Sequence, residues 1–383
     1  MLKRLADVVS LPASRVNAFE RAMTADLLVE MLRDAHPDER ARVAARVAPL
    51  SEIPNSLVRL LLRDEPAIAR LLIDDCTSLT DADLVSCALE TDTDHRVIIA
   101  ERRGLSEVAG EIVAGDHEPP VLMALLTNMT ARLSQPTIEV VVAASRDSPE
   151  LIPLVLRRPE LRPSGAYVMF WWSDAEARRT ILSRFAVSRE VLQEAVDDVF
   201  PQAALENWQD PLARKALQFI ERRQRNRAAI EKSPYDSLED AVEAAGRKGL
   251  DRKVVQEIAY LAGLKPPTCA KLLGDPGGEP MAVLAKATGL PKTALNTLWR
   301  AMKRPETGPD GETHPELERI LVTYDMLAVD RAQTVLRYWN WALSSALTPN
   351  LIKAIRDGDG ESLDEYSVPQ RAAMLALGDD FRA

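Results

Sequence analysis

The sequence predicts an all-α protein: an α-solenoid of short helical hairpins, then a smaller helical domain and a long C-terminal helix. Three observations support this prediction. An apolar-plus-hydroxyl pair recurs at nearly even intervals in the first half, helical spacing of apolar residues continues in the second half, and 46% of the 383 residues are apolar. A chain of that length and composition can bury a substantial core in two or three domains.

The repeat is marked by an apolar residue followed by a hydroxyl residue, with a period of about 27 residues. Each hydroxyl precedes a segment with helical periodicity, where a Ser or Thr oxygen accepts from the unpaired first-turn amides. No hairpin of this length can bury its apolar face alone, so neighbouring hairpins must stack. The pairs are Leu50-Ser51, Leu79-Thr80, Leu105-Ser106 and Leu133-Ser134, with looser copies at Leu161-Arg162 and Val187-Ser188.

Acidic segments, several with proline, separate the repeats. Asp and Pro suit the start of a helix, because the helix dipole favours an anion there and the missing proline N–H costs nothing. We therefore expect each segment to begin the first helix of the next hairpin. The segments span residues 63–66, 91–94, 115–120, 146–150 and 173–176.

The second half predicts shorter and less regular helices. One or two basic helices are predicted at residues 203–232. The helices that follow are interrupted by the glycine-rich segment GDPGGEP and by a polar linker at 305–316. Apolar spacing over 317–347 predicts one long amphipathic helix, followed by an acidic tail from Asp357. The expected domains are an N-terminal helical segment (1–35), the solenoid (36–200), a basic helical domain (201–304), and the linker, long helix and tail (305–383).

Two aromatic clusters stand out because aromatic residues are scarce in this chain. Clustered Trp and Tyr side chains occur in cores and at interfaces, and we expect both clusters in the core. Our hypothesis is that they meet and close the C-terminal helix onto the repeats. The clusters are Tyr167, Phe170 and Trp171, and Tyr338 and Trp341, with Trp339 turned away.

The repeats followed by GLDRKVVQEIAYLAGLKPPTCAKLLGDPGGEPMAVLAKATGLPKTALNTLWRAM resemble the bacterial domain-of-unknown-function family number 2336. The most specific part is AYLAGL…CAKLLGDPGGEPMAVLAKATGL. The resemblance covers roughly residues 40–345. It implies an all-helical, HEAT-like architecture without an established activity, and it carries over no catalytic residue.

Charge is distributed unevenly along the chain. Residues 1–211 carry 23 Lys and Arg against 34 Asp and Glu, residues 212–304 carry 18 against 10, and residues 305–383 carry 7 against 14. Acidic flanks around a basic middle indicate either a polyanion-binding region or attraction between regions of the chain.

No enzyme signature is present, since GxxxxGK[ST], GxSxG, HExxH and CxxC are all missing. We therefore predict a non-enzymatic protein with no catalytic residue, no cofactor and no metal. His117 stands beside two acids, but adjacent residues rarely converge on one metal ion. GDPGGEP lacks the Lys-Ser/Thr of a phosphate-binding loop, and helices commonly end on glycine, so we interpret it as structural.

The compartment is predicted from cysteine spacing and hydropathy. Cys76, Cys87 and Cys269 are odd in number and widely spaced, which argues against a disulfide framework. The start of the chain does not read as a signal peptide, and no apolar run approaches the ~18–20 residues of a membrane span. We expect a cytoplasmic protein.

The expected function is that of a protein–protein interaction scaffold or signalling adaptor. Extended repeat surfaces suit partner recognition, and no small-molecule substrate is evident. The acidic repeats favour a basic segment, either of an unidentified protein partner or of this chain's own middle region.

The alternative is a DNA-associated regulator acting through residues 247–304. Ala259-x3-Gly263-x5-Cys269 and Ala285-x3-Gly289-x5-Leu295 have helix-turn-helix spacing, although any tightly packed helical hairpin shares it. If the candidate residues form one exposed face, DNA binding is favoured; if they are paired with acids, it is disfavoured. The candidates for DNA or partner binding are Lys292, Asn296, Arg300, Lys303 and Arg304.

A weaker alternative is an uncharacterised enzyme on a solenoid scaffold. HEAT-like DNA glycosylases hold a duplex on a basic concave face, whereas the repeat half of this chain has an excess of 11 negative charges. That sign is wrong for binding phosphates.

Overall fold

The computed structural model describes residues 1–12, 14–186 and 231–345. Within these ranges the regular secondary structure is helical, apart from one isolated antiparallel bridge between Thr307 and Thr313. The all-α prediction is therefore confirmed. The chain divides into two compact units, Met1–Leu161 and Arg162–Ala383, and the predicted domain bounds stay a prediction.

Several predictions fall on residues that the structure does not describe. They are the repeat copy at Val187-Ser188, nearly all of the basic helices at 203–232, and the acidic tail from Asp357. Among the described helices, none is both long enough and apolar enough to cross a lipid bilayer.

The described residues of the first unit form eleven α-helices and a 3-10 turn at Pro149–Leu151. The helices are α1 (Leu2–Val9), α2 (Ala18–Arg33), α3 (Pro37–Val47), α4 (Asn55–Leu62), α5 (Pro66–Asp75), α6 (Asp81–Glu90), α7 (Thr93–Glu101), α8 (Glu107–Ala114), α9 (Pro119–Thr127), α10 (Gln135–Ala144) and α11 (Ile152–Arg157).

Three of the four predicted hydroxyl caps are confirmed. Thr80, Ser106 and Ser134 accept a hydrogen bond from a first-turn amide of α6, α8 and α10 respectively. The fourth prediction is wrong, because α4 begins at Asn55 after Pro54 rather than after Ser51. A residue that precedes proline is disfavoured in the α conformation, so Pro54 delays the helix by three residues.

The acidic breaks begin helices as predicted. Pro66 and Pro119 are the first residues of α5 and α9, and Asp92 caps α7. The helices of this unit then contact their second neighbours along the chain: α3 with α5, α5 with α7, α7 with α9 and α9 with α11. The intervening helices do the same, from α2 with α4 to α8 with α10.

The described residues of the second unit form nine α-helices and a 3-10 turn at Phe170–Trp172. The helices are α12 (Pro163–Met169), α13 (Ala175–Arg184), α14 (Leu238–Lys248), α15 (Arg252–Ala262), α16 (Pro266–Gly274), α17 (Glu279–Thr288), α18 (Thr293–Ala301), α19 (Pro315–Met326) and α20 (Val329–Ser345).

Both segments with helix-turn-helix spacing form helical hairpins. Gly263 and Gly289 are the C-cap residues of α15 and α17, and both lie in the left-handed region, with φ of 72° and 82° respectively. Ala259 and Ala285 are fully buried, as expected where two helices cross closely.

The prediction of one long C-terminal helix is wrong. The backbone is extended at Leu327 (φ −84°, ψ 133°), and two helices, α19 and α20, meet there. Leu327 is buried, whereas Met326 and Val329 on either side are exposed. Apolar residues continue with helical spacing across this break, so periodicity alone did not reveal it.

The two aromatic clusters meet in the core of the second unit, as hypothesised. The side chain of Trp341 lies outside what the structure describes, and closure of the C-terminal helix onto the repeats stays a hypothesis. The rings of Tyr167 and Tyr338 lie 5.2 Å apart, and those of Phe170 and Trp339 lie 4.9 Å apart. The orientation predicted for Trp339 is wrong, because this side chain is buried and its Nε1 donates to the Tyr167 carbonyl at 3.3 Å. The face of α20 that packs inward carries Val335, Tyr338 and Trp339.

Candidate partner-binding surface of the repeats

A groove of about 650 Å³ opens on the first unit between α7 and α9. Apolar side chains from both helices and from the turn after α9 line it, and two charged residues at the end of α7 form part of its rim. The lining includes Val97, Met123, Ala124 and Met129, with Glu101 and Arg103 at the rim.

Two methionines stand out in this groove because their apolar side chains are exposed. Met123 of α9 is 40% exposed and Met129, in the turn after α9, is 60% exposed, while Leu122 and Leu125 of α9 are fully buried. Methionine has a flexible, polarizable side chain that adapts to the shape of a partner. Part of each methionine side chain is therefore accessible to a partner.

One end of the groove is held by a series of hydrogen bonds between successive hairpins. The Nδ2 atom of Asn128 donates to the carbonyls of Ala100 and Arg102, at 2.8 and 2.7 Å. The guanidinium of Arg158 donates in turn to the carbonyls of Asn128 and Ala131, at 3.0 and 2.8 Å.

Arg102 repeats this pattern one hairpin earlier, where it donates to the carbonyls of Ile73 and Cys76. Arg102, Asn128 and Arg158 are the C-cap residues of α7, α9 and α11. Each donates to carbonyls at or within a few residues after the end of the preceding hairpin's first helix, where the last helical carbonyls lack a partner within their own helix. We call this series the turn ladder. Our sequence analysis missed it, although three long polar residues at steps of 26 and 30 were a detectable signal.

The acidic breaks contact arginines of the preceding hairpins. Arg40 pairs with Asp64 at 2.8 Å, and Arg96 pairs with Glu118 at 2.9 Å. The hydrogen bond from Arg96 lowers the pKa of Glu118, with a further contribution from the Thr93 hydroxyl. Each arginine is the fourth residue of its helix, so the same arrangement occurs twice.

A net negative charge remains beside the groove. Residues 51–150 carry 8 Lys and Arg against 18 Asp and Glu. Asp74 and Asp75 are the last two residues of α5. Burial raises the pKa of Asp74 against the charge of Arg70, and Asp75 and Glu101 raise it further. Glu101 pairs with Arg70 at 2.8 Å. A cation that approached this rim would relieve repulsion between the carboxylates.

The structure does not bring the five sequence-predicted residues into one unpaired face. Lys292 pairs with Asp325, and Arg300 pairs with Glu306. Lys303 is exposed, and among the described residues it has no ion-pair partner. Two of the exposed cations are therefore paired with acids, the condition that disfavours DNA binding at this position.

The remaining two predicted residues are partly buried. Asn296 is half-buried, and its Oδ1 has no hydrogen-bond partner within the described ranges. Arg304 lies 4.8 Å from the centre of the Trp299 ring and donates at 2.8 Å to the carbonyls of Asp275 and Pro276.

A buried polar cluster explains the GDPGGEP segment. The guanidinium of Arg178 donates to Asp275 at 2.7 and 3.0 Å and to Glu279 at 2.9 Å. Burial lowers the pKa of Arg178, but the hydrogen bond to Asp275 and the two carboxylate charges outweigh that effect and raise it. A Cβ on Gly277 would clash with both Arg178 and Glu279. These contacts support the structural interpretation of the segment.

The cysteines are buried thiols without a disulfide. Burial raises the pKa of Cys269 to about 12, and it also raises the pKa of Cys87. Within the described ranges, no group of three His, Cys, Asp or Glu residues is placed to hold a metal ion. The groove between α7 and α9 is therefore the candidate site with the clearest geometry.

One protein-family model matches residues 68–337, and its description is "Uncharacterised protein conserved in bacteria (DUF2336)". This range is well over half of the chain and includes both the groove and the GDPGGEP segment. No curated protein and no solved structure matches the chain.

Proposed function

We propose that this chain, which belongs to the bacterial DUF2336 family, is a non-enzymatic interaction scaffold or signalling adaptor that binds a partner protein in the α7–α9 groove. The observation that carries the proposal is the exposure of Met123 and Met129 in a groove whose wall is held by the turn ladder. Exposed apolar side chains in a preformed concave surface are typical of recognition sites.

We further propose that α2–α11 form a HEAT-like α-solenoid. The second-neighbour contacts support this arrangement. The odd-numbered helices pack on one another and the even-numbered helices do the same, so each helix contacts the corresponding helix of the next hairpin. The turn ladder and the Arg40 and Arg96 ion pairs also join each hairpin to the next one.

The partner is expected to present an apolar side chain beside a basic one. The apolar side chain would contact Met123, Ala124 and Met129, and the cation would approach Glu101 and Asp74. Electrostatic complementarity of this kind raises the association rate and selects against acidic partners. The unpaired buried cysteines are consistent with the reducing cytoplasm, which we propose as the compartment.

The proposal is tested by placing a photo-crosslinking amino acid at position 123 or 129 of the full-length protein in its native bacterium. A discrete crosslinked protein is expected from both positions. Leu89 and Val108 provide matched controls, because they are exposed apolar residues of the same unit outside the groove. Equal crosslinking at positions 89 and 108, or none at 123 and 129, would overturn the proposal.

The recovered partner then allows a quantitative test. The double variant Met123→Gln with Met129→Gln is expected to bind it at least about tenfold more weakly, since two apolar contacts are lost. Leu89→Gln should leave the affinity unchanged. Glu101→Lys should slow association in low salt and have little effect in high salt, where surface charges are screened.

A DNA-associated role through Lys292, Asn296, Arg300, Lys303 and Arg304 has less support. The ion pairs of Lys292 and Arg300 would have to break before these cations could contact phosphate.

A further inference from the structure

Two groups of cations in the second unit differ in their contacts. Those in α17 and α18 and in the turn after α18 largely have partners: Lys286 lies 4.3 Å from the Tyr324 ring centre, and Lys292, Arg300 and Arg304 have the contacts described above. The cations at the α14–α15 turn do not. Arg247, Lys248, Arg252 and Lys253 are exposed, and no ion pair links any of them to another described residue.

These four cations lie within seven consecutive residues. Arg247 and Lys248 end α14, and Arg252 and Lys253 begin α15. Gly249, with φ of 87°, permits the sharp turn between the two helices. Because cations at a helix N-terminus add to the positive end of the helix dipole, Arg252 and Lys253 reinforce the positive potential at this turn.

Three acids lie close to these cations in the sequence. Glu243 is exposed and lies four residues before Arg247 on α14. Asp251 caps α15, and its carboxylate accepts a hydrogen bond from the Val254 amide at 2.8 Å. Glu257 is half-buried and stands four residues after Lys253, on the same side of α15. Four cations therefore stand against three acids, and the local charge is positive by one.

An exposed aromatic residue continues this basic surface along α15. Tyr260 is 48% exposed and lies eight residues after Arg252, with Gln256 midway between them on the same helix face. Cations that contact phosphates beside an exposed ring that stacks on a base are the combination that binds single-stranded nucleic acid.

We propose that the α14–α15 turn and the exposed face of α15 bind single-stranded nucleic acid, with Arg247, Lys248, Arg252 and Lys253 on its phosphates and Tyr260 stacked on a base. A duplex is less suited to this surface. In the α15–α16 hairpin, which has helix-turn-helix spacing, the second helix, α16, packs against α15, α17 and α20. Its exposed residues include Pro267 and Ala270, which have no polar side-chain group to read base edges.

The first measurement is the affinity of the full-length protein for a labelled single-stranded oligonucleotide and for a duplex of equal length, across a salt series. With three or four phosphate contacts, the logarithm of the single-strand affinity should fall with the logarithm of salt with a slope of about −2 to −3. The single strand is expected to bind more tightly than the duplex.

Variants then assign the surface. The triple variant Arg247→Gln, Lys248→Gln, Arg252→Gln is expected to lose at least about tenfold in affinity, with the salt slope shallower by about 2. Tyr260→Ala should lose about tenfold with an unchanged salt slope, and Tyr260→Phe should retain the affinity, because stacking needs only the ring. The matched control is Lys292→Gln with Arg300→Gln, which removes paired cations of the same unit and should change neither quantity.

Three results would overturn the proposal. One is no binding of the single strand even at low salt. Another is an equal loss in the Lys292 and Arg300 control, which would move the contact to α18. The third is full affinity in Tyr260→Ala together with equal binding of duplex and single strand. Circular dichroism and thermal unfolding of each variant exclude loss of the fold as the cause.

Discussion

Arg158 in the first unit and Arg178 in the second are both buried, yet different groups satisfy their charges. Arg158 donates to two backbone carbonyls about one repeat earlier and to the half-buried Glu160 two residues later. Arg178 donates to two buried carboxylates, of Asp275 and Glu279, which stand 97 and 101 residues later in the chain.

The difference shows how each unit holds its helices together. In the first unit, a polar side chain at the turn of one hairpin donates to backbone carbonyls of the preceding hairpin. The hydrogen bonds therefore join neighbouring hairpins, as in repeat proteins generally. In the second unit, one arginine joins α13 to the start of α17 in a site shielded from water. We therefore expect a mutation in the first unit to act locally and a mutation at Arg178 to act on the whole core of the second unit.

The largest effect is expected for Arg178→Met. This change leaves two buried carboxylates without their cation, which costs about 3–5 kcal/mol of unfolding free energy. Chemical denaturation followed by tryptophan fluorescence measures the loss, because Trp171 and Trp339 pack in the same unit. The neighbouring Arg179 is exposed, and Arg179→Met should change the stability by less than about 0.5 kcal/mol. A similar small loss in both variants would show that the cluster is not what holds α13.

A smaller loss is expected for Arg158→Met. Two backbone carbonyls and Glu160 lose a charged donor, but Glu160 is half-buried and can turn to water, so we expect about 2–3 kcal/mol. Hydrogen exchange should report faster exchange confined to α9 and α11. The adjacent Arg157 is exposed and serves as the control. If protection were lost across the whole unit, nearest-neighbour bonding would be the wrong description.

The glycines of the second unit provide the next comparison. Gly278 has φ of 79°, and a Cβ there would stand 2.5 Å from Cδ1 of Ile320, so Gly278→Ala combines backbone strain with a clash. Gly289 has φ of 82° with open space around the Cβ position, so Gly289→Ala reports the strain alone. We expect losses of about 2–3 and about 1 kcal/mol respectively, measured by thermal unfolding. Equal losses would mean that α17 moves to accommodate the methyl group.

The smallest effect is the pH dependence of the Arg96–Glu118 pair. The pKa of Glu118 is lower in the folded protein than its ordinary value of 4.5, so its contribution is present above pH 4.5 and is lost as the pH falls through the folded pKa. Glu118→Gln should therefore flatten the fall in stability below about pH 5. Exposed Glu107 is the control for removing a carboxylate. An unchanged acid slope in Glu118→Gln would mean that the pair adds nothing in solution.

Local hydrogen bonds account for most of what was predicted correctly. The caps of α6, α8 and α10 and the helix starts at Pro66 and Pro119 depend on groups within a few residues, so a short sequence window contains the cause. The hairpins at Gly263 and Gly289 were detectable for the same reason. The helix cap predicted at Ser51 was wrong because Pro54, which directly precedes α4, determines where that helix begins.

The candidate surfaces needed information from distant residues. Composition identified residues 247–304 as basic, but Asp325 and Glu306 decide that Lys292 and Arg300 are paired. The groove between α7 and α9 likewise depends on how two hairpins stack, and the sequence carried only the weak signal of two methionines in an apolar segment.

The sequence by itself determined that this chain is helical, where most helices of the first unit begin, and which segments are charged, because these properties arise from neighbours along the chain. The tertiary structure decided that Arg178 is bonded to GDPGGEP, that Trp339 packs inward, that the C-terminal helix breaks at Leu327, and which cations remain unpaired. Each of these depends on burial and on partners that folding brings together from distant positions, and a burial pattern is a property of the packed molecule rather than of any sequence window.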